Sequence, residues 1–406
     1  MRSVVFVAPY ATANTLRYVE ALLVLPGVRV SLLAAEDSAR FPRPLCDRLA
    51  AFVHVEDVLK PEALAQGLRV IAARTGAPVD RVFGALEQLQ LPIALARDLA
   101  DVPGMGAQTV AGFRDKSVMK QRLRAAGVPC ARYARVESPA ALRRFAQDVG
   151  YPLILKPVDG LGTRSTYRID DVDALEQVIA AVPLSTETPV QAEEFLVGSE
   201  HSFETVTING DPVWSSSTNY IPGPLEVLNT PWIQYCVVLP RETDNLDRFR
   251  STNHEALKAL GMQTGLSHME WFSRADGSVA VNEVGARPPG VNIMPLTSLA
   301  HGTDMVAAWV GLMALDTFQP VPRVAAAGTA FFRGQGRGAR VVRIEGLERA
   351  LEEVGPFVRE LSRPHVGQAR AAGYEGEGHA IVSAPTTQEV MHALAVLVRN
   401  VRVVLG

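Results

Sequence analysis

The sequence predicts a chain of α/β and α+β class, with an N-terminal parallel α/β unit, a central α+β unit and a small C-terminal α+β unit. Three observations carry that expectation. Strand and helix signals alternate over the first hundred residues, an Asp-Gly turn at 276–277 separates two apolar-alternating runs, and the pattern changes again beyond Pro320.

Each element has a local reason. Residues 4–8 are an apolar run, 15–25 have helical spacing, and 28–34 begin a second run after Gly27. Residues 81–86 read as another buried strand with a helical stretch to about Ala100, and this alternation suits a parallel sheet flanked by helices. No GxGxxG follows the first strand, so a dinucleotide site there has little support. Residues 101–106, with Pro103 and two glycines, mark a boundary. Asp115 is placed to cap a helix over 115–126, which Gly127 and Pro129 stop. A second helix over 140–149 is closed by Gly150 and Pro152, and 153–156 is a strand leading into a glycine-containing loop. Strands at 165–169, 190–195 and 202–209 and a helix at 173–181 follow, then a stretch rich in Pro, Asn and aromatics (215–241) that is expected to be an irregular substrate loop. Helices near 253–260 and 304–315 flank the Asp-Gly hairpin. Beyond them, 325–333, 339–344 and 378–383 read as strands and 389–397 as a helix.

Composition narrows the function. Hydrophobic residues make up 48% and charged residues 20%, as in ordinary globular chains, and the net charge of −3 lacks the basic excess of a dedicated nucleic-acid binder. No apolar run approaches the roughly 18 residues that span a bilayer. The run at 4–8 is cut short by Pro9 and Tyr10, so a first strand is expected rather than a leader. Cys46, Cys130 and Cys236 are odd in number and lack metal spacing, which suits a reduced, cytoplasmic protein. Of the 40 basic residues only five are lysines, Lys60, Lys116, Lys120, Lys156 and Lys258. A lysine in such a chain marks a position suited to a compact ammonium rather than a planar fork.

Three segments carry chemistry. If Asp276-Gly277 is a two-residue turn, Glu270 faces Glu283 across the hairpin, with Cβ atoms roughly 4.5–5.5 Å apart. Two such carboxylates repel unless a cation lies between them, and hard oxygen ligands suit Mg²⁺. The alternative is an exposed pair or one bridged by arginine. Arg287 lies past the strand end within reach of the same place, and His268 shares the Glu270 face, although a lone histidine is more often structural. The second segment pairs Lys116, in a helix's first turn, with Lys156, which ends a strand before the loop holding Gly160, Gly162, Thr163 and Ser165. Ammonium groups and loop N–H groups of this kind hold phosphates, while an ordinary hairpin turn is the alternative. The third, from Gln191 through Glu193, Glu194 and Leu196 to Glu200, offers backbone groups to an adenine edge and a carboxylate to ribose; an acidic strand end is the alternative.

The order DK, ILKP with a glycine loop, EEFLVGSE and MEW…NEVGARPPG resembles the ATP-grasp superfamily over roughly residues 101–315, and most of all its carboxylate–amine ligase branch, which includes L-amino-acid ligases and carnosine-synthase-like enzymes. The resemblance implies an ATP-grasp fold: an N-terminal parallel α/β domain at 1–100, a central ATP-grasp domain at 101–320 with a mobile lid at about 128–190, and a small C-terminal α+β domain at 321–406. It implies ATP with Mg²⁺ or Mn²⁺. By motif position, Lys116 and Lys156 would contact phosphates, with Gly160, Gly162, Thr163 and Ser165 closing over them. Glu193, Glu194 and Leu196 would lie at adenine, and Glu200 at ribose. Glu270 and Glu283 would hold the metal, and Arg287 would steady an acyl phosphate, with Lys156 and His268 beside the reacting groups. Many relatives carry an asparagine two residues beyond the second glutamate; here that residue is Gly285.

The implied reaction is ATP-dependent amide formation between a small-molecule carboxylate and an amine, through an acyl phosphate, with release of ADP and phosphate. No nucleic acid or membrane partner is expected, and a homodimer is frequent in the family. Competing expectations are a biotin-carboxylase-like or purine-pathway enzyme using bicarbonate or formate, and a non-catalytic ATP-binding regulator. Trp214, Tyr220 and Trp232 are candidates for a side-chain pocket, with core packing as the alternative.

Overall fold

A computed structural model describes the chain except residues 158–165, 188, 231–232, 248 and 374. The loop glycines Gly160 and Gly162, Thr163, Ser165 and Trp232 thus lie outside the described residues.

The alternation of the first hundred residues folds into a four-stranded parallel sheet in the order Ala51–His54, Val28–Ala34, Arg2–Val7, Arg81–Phe83. Its strands are short, nearly uninterrupted apolar runs because helices cover both faces. Thr12 caps the helix Ala13–Leu23 by accepting from the Thr15 N–H, and Gly76 ends the helix Pro61–Thr75 in the left-handed conformation. The strand expected at 81–86 stops at Phe83, which frees Ala85, Leu86 and Glu87 to turn toward the neighbouring sheet.

The centre of the molecule is an eight-stranded antiparallel sheet. Its order is Val279–Gly285, Gly265–Ser273, Ser199–Ile208, Asp211–Ile221, Tyr235–Leu239, Ala326–Phe332, Gly378–Ala384, Val358–Ser362. The sheet therefore runs across the division expected at residue 321. A smaller antiparallel sheet, Tyr133–Val136, Val190–Glu194, Leu153–Pro157, Tyr167–Ile169, lies beside it, and Gly334–Gln335, Arg402–Leu405 and Val341–Glu345 form a third.

The irregular loop expected at 215–241 is corrected. The segment holds most of the strand Asp211–Ile221, the helix Pro224–Asn229 and the strand Tyr235–Leu239. Its Pro, Asn and aromatic content suggested a loop, but Ser216 and Thr218 are buried in the strand and meet charged or polar partners: Arg323 donates to Ser216 Oγ at 2.5 Å, and Thr218 donates to Glu204 at 2.9 Å. Buried hydroxyls persist in a sheet when such partners are supplied.

The helix Met305–Leu315 joins the parallel sheet to the large one. It is apolar on all sides because both neighbours bury it. Trp309 packs edge-on against Tyr18 and Phe83, with ring centroids 5.1 and 5.5 Å away. Just past its end, Asp316 accepts from Arg2 at 2.8 Å and Arg81 at 2.7 Å, which ties the parallel sheet to this helix a second time. No helix among the described residues is long and apolar enough to cross a membrane.

Candidate active site

The parallel sheet's loops, the large sheet and the small sheet enclose a cavity of about 1380 Å³. The hairpin supplies its floor. The strands Gly265–Ser273 and Val279–Gly285 place Glu270 opposite Glu283, as the spacing predicts, but by a different route. The turn has three residues, since Arg274 N–H bonds Ser278 O at 2.9 Å and Gly277 sits at φ 82°. That shifts the register by one, to Trp271 opposite Val281, and a bulge at Asn282 shifts it back. The bulge also breaks the in–out alternation, so Asn282 and Glu283 both line the cavity.

Lysine ammonium groups gather at the hairpin. Asp115 accepts from the N–H groups of Ser117 (2.8 Å) and Val118 (3.0 Å), which starts the helix Lys116–Ala125 and aims Lys116 at Glu283 Oε1, 3.0 Å away. One turn on, the fully buried Lys120 donates to Val281 O at 3.2 Å and lies 3.7 Å from Glu193 Oε2. Lys156 reaches Glu193 Oε1 at 2.9 Å from the strand Leu153–Pro157. Burial favours neutral carboxyls, yet the adjoining ammonium charges win. Lys116 and Lys156 hold Glu283 down to about 2, and Lys120 and Lys156 hold Glu193 below the ordinary range. Burial pushes the Lys120 ammonium down, whereas for Lys156 the charges of Glu193 and Glu283 outweigh burial and raise it.

Glu193 therefore spends its side chain on two lysines, leaving its backbone as what an adenine edge could meet. Glu194 accepts from Arg132 Nε at 2.6 Å, and its N–H bonds Arg132 O. Leu196 is buried against Ala131 and Ala280 at the cavity edge. Glu200 lines the same space. Desolvation, then the charge of Glu270, lifts its carboxyl well above the ordinary value.

Period-two geometry puts Glu200, Glu204, His268 and Glu270 on one face of the large sheet. His268 Nδ1 lies 2.8 Å from Glu204 Oε1, and Nε2 lies 3.5 Å from Glu270 Oε1. Burial disfavours the imidazolium, but these two carboxylates outweigh it and raise the group to about 9. Arg287 is engaged by the parallel sheet's loop: Nε and Nη2 donate to Glu87 Oε2 at 2.9 and 2.6 Å, and Arg114 donates to the other oxygen of Glu87. The negative charge of Glu87 more than offsets burial and raises the Arg287 guanidinium. At Gly285 a Cβ would lie 3.5 Å from Arg287 Cγ, so the arginine stem occupies the space beside the absent asparagine.

The structure brings Lys116, Lys156, Glu193, Glu200, His268, Glu270, Glu283 and Arg287 to one site. Sequence reasoning missed Glu87, Lys120, Glu204 and Asn282. Lys120 had a signal, its place one turn from Lys116, and Glu204 is found by setting the strand at 202–209 against His268. Glu87 has no local signal because it arrives from another sheet. Trp214 is core, edge-on to His301 and tilted against Phe318, while Tyr220 lines the cavity.

The site thus sets a cluster of cations beside two facing carboxylates. Residues 121–290 match the family model described as the ATP-grasp domain. The solved L-amino acid ligase from Bacillus licheniformis superposes over 100% of this chain and 99% of its own with TM-score 0.77, at 20% identity. The N5-carboxyaminoimidazole synthase of Aspergillus clavatus, solved with ADP and 5-aminoimidazole ribonucleotide, gives 0.70 over 98% of this chain and 99% of its own, at 19% identity. By sequence, the carbamoyl phosphate synthase large chain of Mycobacterium bovis is 27% identical over 245 residues, 57% of this chain. The chain spans only 21% of the length of that relative.

Proposed function

We propose that the protein is an ATP-dependent carboxylate–amine ligase that activates an amino acid or similar organic acid and joins it to an amine. The observation that carries the reading is the juxtaposition of Lys116, Lys156 and Arg287 with the facing Glu270 and Glu283 in one cavity. Two carboxylates fit Mg²⁺, which binds through one or two protein carboxylates and takes its other ligands from phosphate and water. Such a cation would supply charge neutralisation between the phosphates.

Lys116 and Lys156 each have three N–H donors, so each can keep its carboxylate and still bind phosphate oxygen. Glu200 and the backbone from Glu193 to Leu196 take the nucleoside. The γ-phosphoryl group passes to a carboxylate oxygen of the substrate, forming the acyl phosphate and ADP. Arg287, held by Glu87, bonds the developing negative charge on the acyl oxygen. The amine then attacks the carbonyl carbon, loses a proton and expels phosphate. Beyond the acidic pair the cavity is walled by Tyr18, Tyr220, Pro222, Leu225 and Val291, room for a substrate with a side chain.

Hydroxylamine trapping with ATP and Mg²⁺ across a panel of amino acids tests this. Hydroxamate with matching ADP supports it; AMP in place of ADP overturns it. The likeness to proteins named carbamoyl phosphate synthase and N5-carboxyaminoimidazole synthase supports a second reading, activation of bicarbonate or formate. ADP release that depends on either small acid, and on no amino acid, would select it.

A further inference from the structure

One buried acid on the cavity-facing side of the large sheet has no part in the chemistry above. Glu204 stands directly opposite His268 in the strand pairing, with 2% of its surface exposed. Its Oε1 accepts from Ser202 Oγ at 2.8 Å and faces His268 Nδ1 at 2.8 Å, and its Oε2 accepts from Thr218 Oγ1 at 2.9 Å. A buried carboxylate without such partners would cost several kcal/mol, and with three of them it is fixed in one position. An ionised carboxylate only accepts, so Nδ1 donates and the ring orientation is set by Glu204. The same orientation aims Nε2 at Glu270 Oε1, 3.5 Å away. The other Glu270 oxygen accepts from Asn282 Nδ2 at a long 3.4 Å, and the Glu270 side chain is 29% exposed. His268 and Asn282 thus approach Glu270 at similar distances, one at each oxygen, and of the two only His268 is held in turn by a buried carboxylate.

We propose that Glu204 is a positioning residue, which holds His268 so that the ring steers the Glu270 carboxylate toward Glu283 for a shared divalent cation. The inference rests on the assignment of Glu270 and Glu283 to that cation, and it adds an outer carboxylate that the family motifs quoted above do not mark. If Glu204 served only the packing of the sheet, its loss would lower stability and leave cation affinity alone.

The test is a titration of the full chain with Mn²⁺ in the presence of ADP, read by electron paramagnetic resonance of free Mn²⁺. Glu204→Gln is expected to weaken Mn²⁺ binding by ~10–100-fold, the usual effect of removing an outer-shell partner, with metal-free ADP affinity unchanged. His268→Asn keeps a donor near the Nδ1 position but loses the reach to Glu270, so the same weakening is expected. A folded Glu204→Gln protein with wild-type Mn²⁺ affinity overturns the proposal. So does wild-type affinity in His268→Asn, which alone decides the matter if the first variant fails to fold. If the wild-type chain with ADP binds no Mn²⁺, the cation assignment itself falls, an outcome distinct from both.

Discussion

Glu283→Gln probes the centre of the site, and its consequences can be worked out before the experiment. The substitution preserves shape and removes one charge at the point where Lys116 approaches to 3.0 Å. The side chains are 3% and 23% exposed. At an effective dielectric constant of ~20 the lost attraction is about 5 kcal/mol, and mutations that break one partner of a buried pair typically cost about 3–5 kcal/mol. Part of that cost is recovered because glutamine still accepts a hydrogen bond from Lys116. A lower melting temperature is therefore expected alongside the loss of turnover, and the two must be separated. The double variant Lys116→Met with Glu283→Gln removes both charges and should regain most of the stability, since neutral replacement of a buried pair is often harmless. Neither variant should regain activity. Loss of one electrostatic anchor at a reacting phosphate costs ~10²–10³ in kcat, or about 3–4 kcal/mol at the barrier. Coupled-enzyme detection of ADP, with hydroxylamine as acceptor, measures it. Wild-type ADP formation by folded Glu283→Gln would refute the assignment of this carboxylate.

Three further outcomes are expected. Glu87→Gln leaves Arg287 and Arg114 without their shared negative partner, so kcat should fall more than KM for ATP rises in steady-state kinetics. Trp309→Ala should cost ~3–5 kcal/mol in urea unfolding, because the ring fills the junction of two sheets and is 3% exposed. His301 is kept neutral by burial and by Arg323, with its pKa lowered to about 4. Between its ordinary value near 6.5 and about 4, the unfolded chain therefore binds more protons than the folded one. The stability His301 contributes above pH ~6.5 is then lost as pH falls through that window, by up to about 3 kcal/mol. Melting curves from pH 7 to 4.5 should show this loss in wild type and a shallower one in His301→Gln.

Much of the site was legible because its residues lie at fixed spacings on regular elements. Lys116 follows an N-cap, Lys156 ends an apolar strand, and the acidic pair lies on one hairpin. Even there the agreement of Glu270 with Glu283 arose from two departures that cancel, a three-residue turn and a bulge. What remained hidden depends on sheet order. Nothing near Glu87 announces that Arg287 will reach it across 200 residues. Most of the strand Asp211–Ile221 fell in a stretch read as a loop from its Pro, Asn and aromatic content; the partners of its buried hydroxyls, Glu204 and Arg323, come from other parts of the chain. Local composition records propensity, whereas a buried hydroxyl is accounted for only when the neighbouring strand is known.

The continuity of the large sheet has a practical consequence for anyone dissecting the chain. Leu239 through Tyr235 hydrogen-bond to Ala327 through Phe331, and all five residues of Tyr235–Leu239 are buried. A shortened protein ending near residue 320 would strip that partner away and leave an apolar strand with one row of amide and carbonyl groups unmet, an invitation to pair with another molecule. Fragments cut at that point should gather in inclusion bodies. A workable dissection has to remove the smaller sheet instead and leave the long one whole.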